Sequence, residues 1–315
     1  MVALPIRMRP AIVLFGDSIT QQGFGWDGGT GWVSLLSSAY SRRADVLNRG
    51  YSGYNTRHGV DLLSRVFGPQ QFPIPESIDR NSKRMNDDGN NQKDVLFVTI
   101  FFGANDAALQ GELQHVPLDE YGDNLSKMIS YIRGNSLPAE RSNEVDHSGE
   151  TDCAAASGTE GMDGSDGISC TDDHSEISSK SNNDEIPIIL LTPPPVDIDA
   201  WYKERGEPKN ENRNDRANNN AREYGQRAKD VASNYSQCSV VDVFDLLGGN
   251  GPVEDYAQHL RDGLHLSSSG NKLVYEGLMD TLQSKYPHLL PMMDGNGRYG
   301  TTGMPLEEKL WRELC

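Results

Sequence analysis

The fold is most constrained by an alternation of short apolar runs with longer amphipathic stretches. Four of the five runs are almost continuously apolar, which is typical of strands that are buried on both faces of a sheet. The predicted strands are residues 11–16, 45–50, 94–103, 186–195 and 239–247. The predicted helices between and after them are residues 31–43, 118–135, 214–235 and 270–286. This alternation predicts an α/β fold in which helices sandwich a parallel sheet.

The charge of the chain is high and unevenly distributed. The formal net charge is −17, which argues against a nucleic-acid or anionic-membrane partner because both need a basic face. Between residues 135 and 186, thirteen acidic residues stand against Arg141 and Lys180, so this segment supplies −11 of the total. Ser, Gly, Asp and Asn dominate there and aromatic residues are absent. We therefore predict a disordered acidic insertion at residues 136–185 in a single domain.

The remaining features of the chain set its class and location. The single domain is expected to span residues 1–315, with a C-terminal extension after about residue 288. No stretch approaches 18 apolar residues, and no apolar run of signal-peptide length precedes residue 11. A cytoplasmic, soluble protein without stable membrane insertion is therefore expected. The four cysteines match neither a disulfide framework nor a zinc pattern.

A candidate nucleophile follows the first predicted strand. The sequence "GDSIT" places Ser18 where the strand gives way to a helix, at the carboxyl edge of the sheet, where ligands bind in such folds. A serine in this position is more often only a helix N-cap. The Gly-x-Ser-x-Gly elbow occurs nowhere, which argues against the usual α/β-hydrolase arrangement.

Two candidate oxyanion donors follow the second and third strands. Gly53, in "NRGYSGYNT", could turn its backbone N–H toward a ligand without interference from a side chain. Asn105, in "GANDA", could direct its amide into the same crevice. Each residue also has a purely conformational explanation, since glycine permits a positive φ and asparagine often bonds its own backbone in turns.

The last loop holds a candidate base. In "RDGLHLSSSG", Asp262 stands three residues before His265, a carboxylate close to an imidazole. Together with Ser18, Gly53 and Asn105, this pair completes the set that acyl transfer requires, and each member lies after a predicted strand or in the final loop. Ser18 would attack, His265 would carry the proton and Asp262 would hold its tautomer. The backbone N–H groups of Ser18 and Gly53 and the Asn105 amide would form the oxyanion hole.

At these residues the sequence resembles the SGNH hydrolases, also called the GDSL lipase/esterase family. The resemblance extends from Ile12 to about Leu282, with Ile19 in place of the leucine of the family name. The segments "DVLNRGYSGYNTR", "FFGANDA", "LTPPPVD" and "LRDGLHLSSSGNKLVYEGL" look like those of isoamyl-acetate-hydrolysing esterases. The resemblance implies a three-layer α/β/α sandwich with a flavodoxin-like, parallel, five-stranded sheet. It also implies that no metal or organic cofactor is needed.

The predicted function is hydrolysis of short-chain acyl esters of the acetate type, with a small-molecule ester as substrate. Deacetylation of an acetylated carbohydrate and acyl transfer to another alcohol use the same triad and remain open, as does a catalytically inactive interaction module. The sequence also leaves open whether the protein forms a homodimer. The following aromatic residues either line an apolar acyl or alcohol site or belong to the core: Trp26, Trp32, Phe101, Phe102, Trp201 and Tyr202.

Overall fold

One parallel sheet organises the protein. The structure is a computed structural model that describes residues 9–26, 28–68, 95–134, 185–206 and 215–291. The strands are β1 (Ala11–Gly16), β2 (Asp45–Gly50), β3 (Val95–Phe101), β4 (Ile188–Leu191) and β5 (Cys238–Val241). Their order is β2-β1-β3-β4-β5, with every neighbouring pair parallel. This is the flavodoxin-like order, whose topological switch point lies between β1 and β3. The predicted fold class is confirmed.

Helices connect the strands and cover both faces. In the described part of the chain they are α1 (Ser18–Gln21), α2 (Trp32–Ala39), α3 (Thr56–Val66), α4 (Leu118–Ile132), α5 (Ile198–Glu204), α6 (Asn218–Ser233), α7 (Val243–Leu246), α8 (Val253–Ala257) and α9 (Ser268–Lys285), and a 3₁₀ turn spans Pro287–Leu289. The pattern predicted α2, α4, α6 and α9 but missed α3. Its start is encoded locally by a capping box, in which Asn55 and His58 each accept a hydrogen bond from the other's backbone N–H at 3.3 Å.

The two faces of the sheet carry separate cores because side chains alternate along each strand. Ile12 and Leu14 of β1 pack in a cluster with residues of α2 and α9. Val13 and Phe15 point to the opposite face and pack with residues of α3, α4 and α6. All four side chains are fully buried. Burial on both faces is the reason that this strand is apolar without interruption.

Three predicted strands are shorter than expected, and the third spans Val95–Phe101 rather than 94–103. The fourth ends at Leu191, because the prolines that follow from Pro193 have no N–H to donate to the ladder. The predicted fifth strand, 239–247, is wrong in its second half. The strand ends at Val241, and Asp242 then caps α7 by accepting a hydrogen bond from the Asp245 backbone N–H at 3.3 Å.

The acidic insertion predicted for 136–185 lies outside the described residues except for Glu185, and the chain after residue 291 also lies outside them. The two flanks of the insertion are adjacent, since Arg133 Nη1 and Glu185 Oε2 form an ion pair at 3.0 Å. All described residues belong to one compact unit. None of the helices in these ranges combines the length and the apolar character that crossing a membrane requires.

Candidate active site

The candidate nucleophile lies in a tight turn at the end of the central strand. Gly16 ends β1, and a side chain there would come within 2.6 Å of the Phe101 carbonyl of the neighbouring strand. Asp17 then caps α1 by accepting a hydrogen bond from the Ile19 backbone N–H at 2.9 Å. Ser18 is therefore the first residue of α1, at the carboxyl edge of the sheet. The sequence favoured an N-cap role for Ser18 over a catalytic one. In the structure, the N-cap is Asp17.

The structure brings Ser18, His265 and Asp262 into one hydrogen-bonded chain. His265 Nε2 lies 2.8 Å from Ser18 Oγ, although 247 residues separate them along the sequence. The other ring nitrogen, Nδ1, lies 2.7 Å from Asp262 Oδ2. With Nδ1–H donating to the carboxylate, Nε2 carries the free lone pair and can accept the serine proton. This is the geometry that a nucleophile with its base and orienting carboxylate requires.

A short loop between α8 and α9 presents the histidine. Its ends are joined by an antiparallel bridge between Leu260 and Leu266, and the Arg261 N–H donates to the His265 carbonyl at 2.7 Å. Asp262 Oδ1 accepts hydrogen bonds from the backbone N–H groups of Leu264 at 3.1 Å and His265 at 2.8 Å. One carboxylate thus holds the loop with one oxygen and the imidazole with the other.

Asp262 is buried but remains ionised. Burial raises the pKa of its carboxyl, but hydrogen bonds from His265 and Arg261 outweigh that effect and hold the pKa well below its usual range. Arg261 Nη2 donates to Asp262 Oδ2 at 2.8 Å and to Gln22 Oε1 at 3.2 Å. An ionised Asp262 favours the tautomer in which His265 keeps its proton on Nδ1.

The second loop places its glycine beside the candidate asparagine. Gly53 has a φ of +80°, a conformation that glycine adopts without strain. Its carbonyl accepts a hydrogen bond from Gln114 Nε2 at 2.9 Å. Asn105 is buried, and its Nδ2 donates to the carbonyl of the next residue, Tyr54, at 2.8 Å. The loops after β2 and β3 are therefore joined through the two predicted donor residues.

The same edge offers backbone donors that are not engaged elsewhere. Among the described residues, neither the Ser18 N–H nor the Gly53 N–H donates a hydrogen bond within the protein. One N–H of the Asn105 amide is taken by Tyr54, which leaves the second N–H for a ligand. Donors of this kind, fixed at the same edge of the sheet as a nucleophile, can stabilise the negative charge that develops on a carbonyl oxygen.

Two buried carboxyl groups lie behind the site. Asp17 and Asp106 are fully buried, and each has one side-chain oxygen without a partner in the described part of the chain. Burial is the main cause that raises the pKa of Asp17 to about 7 and of Asp106 to about 6. Asp106 Oδ1 accepts hydrogen bonds from the Thr56 backbone and hydroxyl, which connects the third loop to the start of α3.

A small depression lies beside His265. It is lined by Ile19, Gln22, Trp26, Arg261, His265, Leu266 and Asn271. Trp26 is 54% exposed, and its ring lies under the Arg261 guanidinium at 4.6 Å. On the other side, the Trp201 ring centroid lies 6.1 Å from that of His265. Of the candidate aromatics, Trp32, Phe101, Phe102 and Tyr202 are buried and belong to the core.

Sequence reasoning missed three polar residues of this site. Arg261 could have been suspected, because it directly precedes Asp262. Gln114 and Arg216 carry no local signal, since they lie in stretches without a motif. Arg216 is only 5% exposed, and its guanidinium donates to the Asn105 and Gln114 side chains and to the Ala104 carbonyl.

The chain is similar to several known proteins. The family model described as "GDSL-like Lipase/Acylhydrolase" matches residues 12–278. An "Isoamyl acetate-hydrolyzing esterase 1 homolog" from Mus musculus is 33% identical over 290 residues, which cover 90% of this chain and 86% of the relative. The Homo sapiens homolog is 31% identical with the same coverage. A GDSL esterase/lipase from Arabidopsis thaliana is 31% identical over 85% of this chain and 84% of its own length.

A solved structure supports the fold independently. A mutant of an acetyl-xylooligosaccharide esterase from Geobacillus stearothermophilus superposes with a TM-score of 0.50 at 17% sequence identity. The superposition covers 90% of this chain and 98% of the esterase. At this identity the likeness concerns the architecture of the sheet and its helices.

Proposed function

The chain belongs to the GDSL-like lipase/acylhydrolase family, whose members are ester-hydrolysing serine hydrolases, and we propose that it hydrolyses short-chain acyl esters through an acyl-enzyme on Ser18. The single observation that carries the proposal is the hydrogen-bonded chain from Ser18 Oγ through His265 to Asp262. The family gives the class of reaction, and this chain of contacts supports the role that we propose for each residue.

In the acylation half, Ser18 Oγ forms a bond to the ester carbonyl carbon while its proton passes to His265 Nε2. The carbonyl oxygen becomes an alkoxide, which the Ser18 and Gly53 N–H groups and Asn105 Nδ2 stabilise. When the tetrahedral intermediate collapses, the bond to the alcohol breaks and His265 returns the proton to the leaving oxygen. Asp262 stabilises the imidazolium that exists between these two proton transfers.

In the deacylation half, water takes the place of the alcohol. His265 Nε2 accepts a proton from the attacking water, and the same three donors hold the second alkoxide. Collapse releases the carboxylic acid and returns the proton to Ser18 Oγ. Both halves use the same groups, so no metal or organic cofactor enters the proposed cycle.

The lining of the depression beside His265 supports a small acyl group. Trp26 and Arg261 both line it, and the Arg261 guanidinium lies over the Trp26 ring at 4.6 Å. Two large side chains at this place favour a short acyl chain beside His265. Mouse and human relatives carry names that refer to isoamyl acetate, an ester with a two-carbon acyl group.

The proposal is tested with the Ser18→Ala variant and a set of esters. We expect hydrolysis of p-nitrophenyl acetate to fall by roughly a million-fold, because the nucleophile is lost. A fluorophosphonate should label the wild type but not the variant. Ser284→Ala, an exposed serine of α9, is the matched control and should retain full activity and labelling.

The same assay separates the substrate classes. Wild-type rates on p-nitrophenyl acetate, butyrate and octanoate, isoamyl acetate and an acetylated xylo-oligosaccharide are compared, with and without an alcohol acceptor. A preference for the acetylated sugar would make an acetylated carbohydrate, rather than a short-chain ester, the substrate class. Faster transfer of the acyl group to the alcohol than to water would make the protein an acyltransferase. If Ser18→Ala retained more than about a tenth of the wild-type activity, the proposed nucleophile would be wrong.

A further inference from the structure

A buried arginine, Arg216, contacts the loop that follows β3, which carries Asn105, and is connected through a glutamine to the loop that follows β2, which carries Gly53. Arg216 precedes α6, and its main chain pairs with Ala108 in an antiparallel bridge. The guanidinium is held by the Ala104 carbonyl and by the Trp201 ring, whose centroid is 5.3 Å away. Burial of a cation is costly unless other groups compensate for its charge. Solubility, the usual reason for a charged side chain, does not explain an arginine that is buried here.

One nitrogen of this guanidinium serves both loops. Arg216 Nη2 donates to Asn105 Oδ1 at 3.2 Å and to Gln114 Oε1 at 3.0 Å. Gln114 in turn donates through Nε2 to the Gly53 carbonyl at 2.9 Å. A single cation is therefore connected to Asn105 directly and to Gly53 through one glutamine side chain.

These contacts allow only one orientation of each amide. Arg216 has donors only, whereas the Tyr54 and Gly53 carbonyls have acceptors only. If the Asn105 amide were rotated by half a turn, its oxygen would face the Tyr54 carbonyl and its NH₂ would face the guanidinium. The same argument holds for Gln114 between Arg216 and Gly53. The arrangement keeps the Asn105 NH₂ on the side of the loop that carries Gly53 and Tyr54, and it holds the Gly53 peptide in place.

We propose that Arg216 and Gln114 are positioning residues that orient the Asn105 and Gly53 oxyanion donors, with Arg216 also polarising the Asn105 amide. This inference rests on the proposed function, because it assigns the alkoxide to that hole. Hydrogen bonds in a chain strengthen one another, so a donor to Asn105 Oδ1 makes the Asn105 N–H groups better donors. Preorganised donors contribute to the rate because they need no reorientation when charge develops.

The test uses Gln114→Met and Arg216→Lys with p-nitrophenyl acetate and with butylboronic acid. A boronic acid bonds to the serine oxygen and becomes tetrahedral, so it reports on the hole in a transition-state-like complex. We expect kcat to fall about 10-fold in Gln114→Met and about 100-fold in Arg216→Lys. Deleting an oxyanion donor outright costs roughly 100- to 1,000-fold, so the first loss lies below that range and the second at its lower end. KM should change less than about 3-fold, and boronate affinity should fall by the same factor as kcat.

Matched controls separate positioning from folding. Leu113→Ala alters the fully exposed neighbour of Gln114, and Arg222→Met removes an exposed arginine of α6 that stacks on Phe244. Both controls should keep wild-type kcat and boronate affinity. Fluorophosphonate labelling of Ser18 gives the fraction of active protein, so kcat is expressed per folded site even where a variant is less stable.

The outcomes are distinct from those of the Ser18 test. The inference is overturned if Gln114→Met keeps kcat within about 2-fold of the wild type, or if kcat falls without a parallel loss of boronate affinity. If Arg216→Lys fails to fold, Gln114→Met alone decides, because Gln114 is only half-buried. If the Ser18→Ala variant remained active, the proposed function would be wrong. The contacts of Arg216 would then not serve an oxyanion hole.

Discussion

Asp262 holds His265 at two points. Its Oδ1 accepts the His265 backbone N–H at 2.8 Å, and its Oδ2 lies 2.7 Å from the ring Nδ1. The spacing of three residues makes this possible, since a turn returns the chain to the carboxylate. The position of the loop and the tautomer of the imidazole therefore depend on the same side chain.

The first prediction concerns this double contact. In Asp262→Asn the amide oxygen can still accept the backbone N–H groups, which leaves the NH₂ facing His265 Nδ1 and Arg261. The histidine must then accept at Nδ1 and carry its proton on Nε2, where it cannot take the serine proton. We expect kcat to fall roughly ten-thousand-fold in steady-state assays, with a far-UV spectrum like that of the wild type. An activity loss below about ten-fold would show that the carboxylate has no tautomeric role.

The second prediction concerns the Asn105 amide. Asn105→Ala should lower kcat by roughly a hundred- to a thousand-fold with a smaller change in KM, because the alkoxide exists mainly in the transition state. Asn234→Ala, at the exposed end of α6, is the control and should behave as the wild type. A change confined to KM would assign Asn105 to substrate binding instead.

The third prediction concerns the pH dependence of stability. The pKa of Asp106 is raised to about 6 in the folded protein, so folding is favoured when this carboxyl is protonated, and the benefit is lost as pH rises through 6. Between pH 5 and pH 8 the wild type should lose about 1 kcal/mol relative to Asp106→Asn in urea unfolding. The exposed Asp123→Asn variant corrects for the overall negative charge and should change in parallel with the wild type. Parallel curves for Asp106→Asn and the wild type would contradict the prediction.

The fourth prediction concerns acyl length. Trp26→Ala removes one wall of the depression beside His265, so longer acyl chains should gain access. We expect the kcat/KM ratio of p-nitrophenyl octanoate to acetate to rise about ten-fold, which corresponds to the burial of about two CH₂ groups. Phe24→Ala is the control, because Phe24 is similarly exposed but does not line the depression. An unchanged ratio would place the acyl chain elsewhere.

The fifth prediction concerns the acidic segment. Removing residues 140–182 should leave kcat/KM and the thermal midpoint nearly unchanged, because this sequence has few apolar side chains to pack against the domain. The ion pair between Arg133 and Glu185 shows that a short connection can join the remaining ends. A drop of more than about 5 °C in the midpoint would mean that the segment contributes to the fold.

The sequence by itself determined the sheet and the positions of its chemistry-bearing residues. Strand periodicity is a local property, and parallel strands put their carboxyl ends at one edge, so Ser18, Gly53 and Asn105 could be assigned to a common crevice. The Asp262 and His265 pair was equally accessible, because three residues of chain join them. The extent of β5 was misjudged because an apolar run does not distinguish a strand from the short α7 that follows it.

Only the tertiary structure decided which other groups serve the site. Arg216 is 111 residues from Asn105 in the sequence, and nothing near it indicates that its guanidinium would be buried beside that amide. Trp26 and Trp201 lie next to His265, whereas Trp32 and Phe101 lie in the core, although the sequence offered all four as candidates for an apolar site. Local patterns encode secondary structure, but burial and hydrogen-bond partners depend on distant segments, so these choices are made when the chain packs.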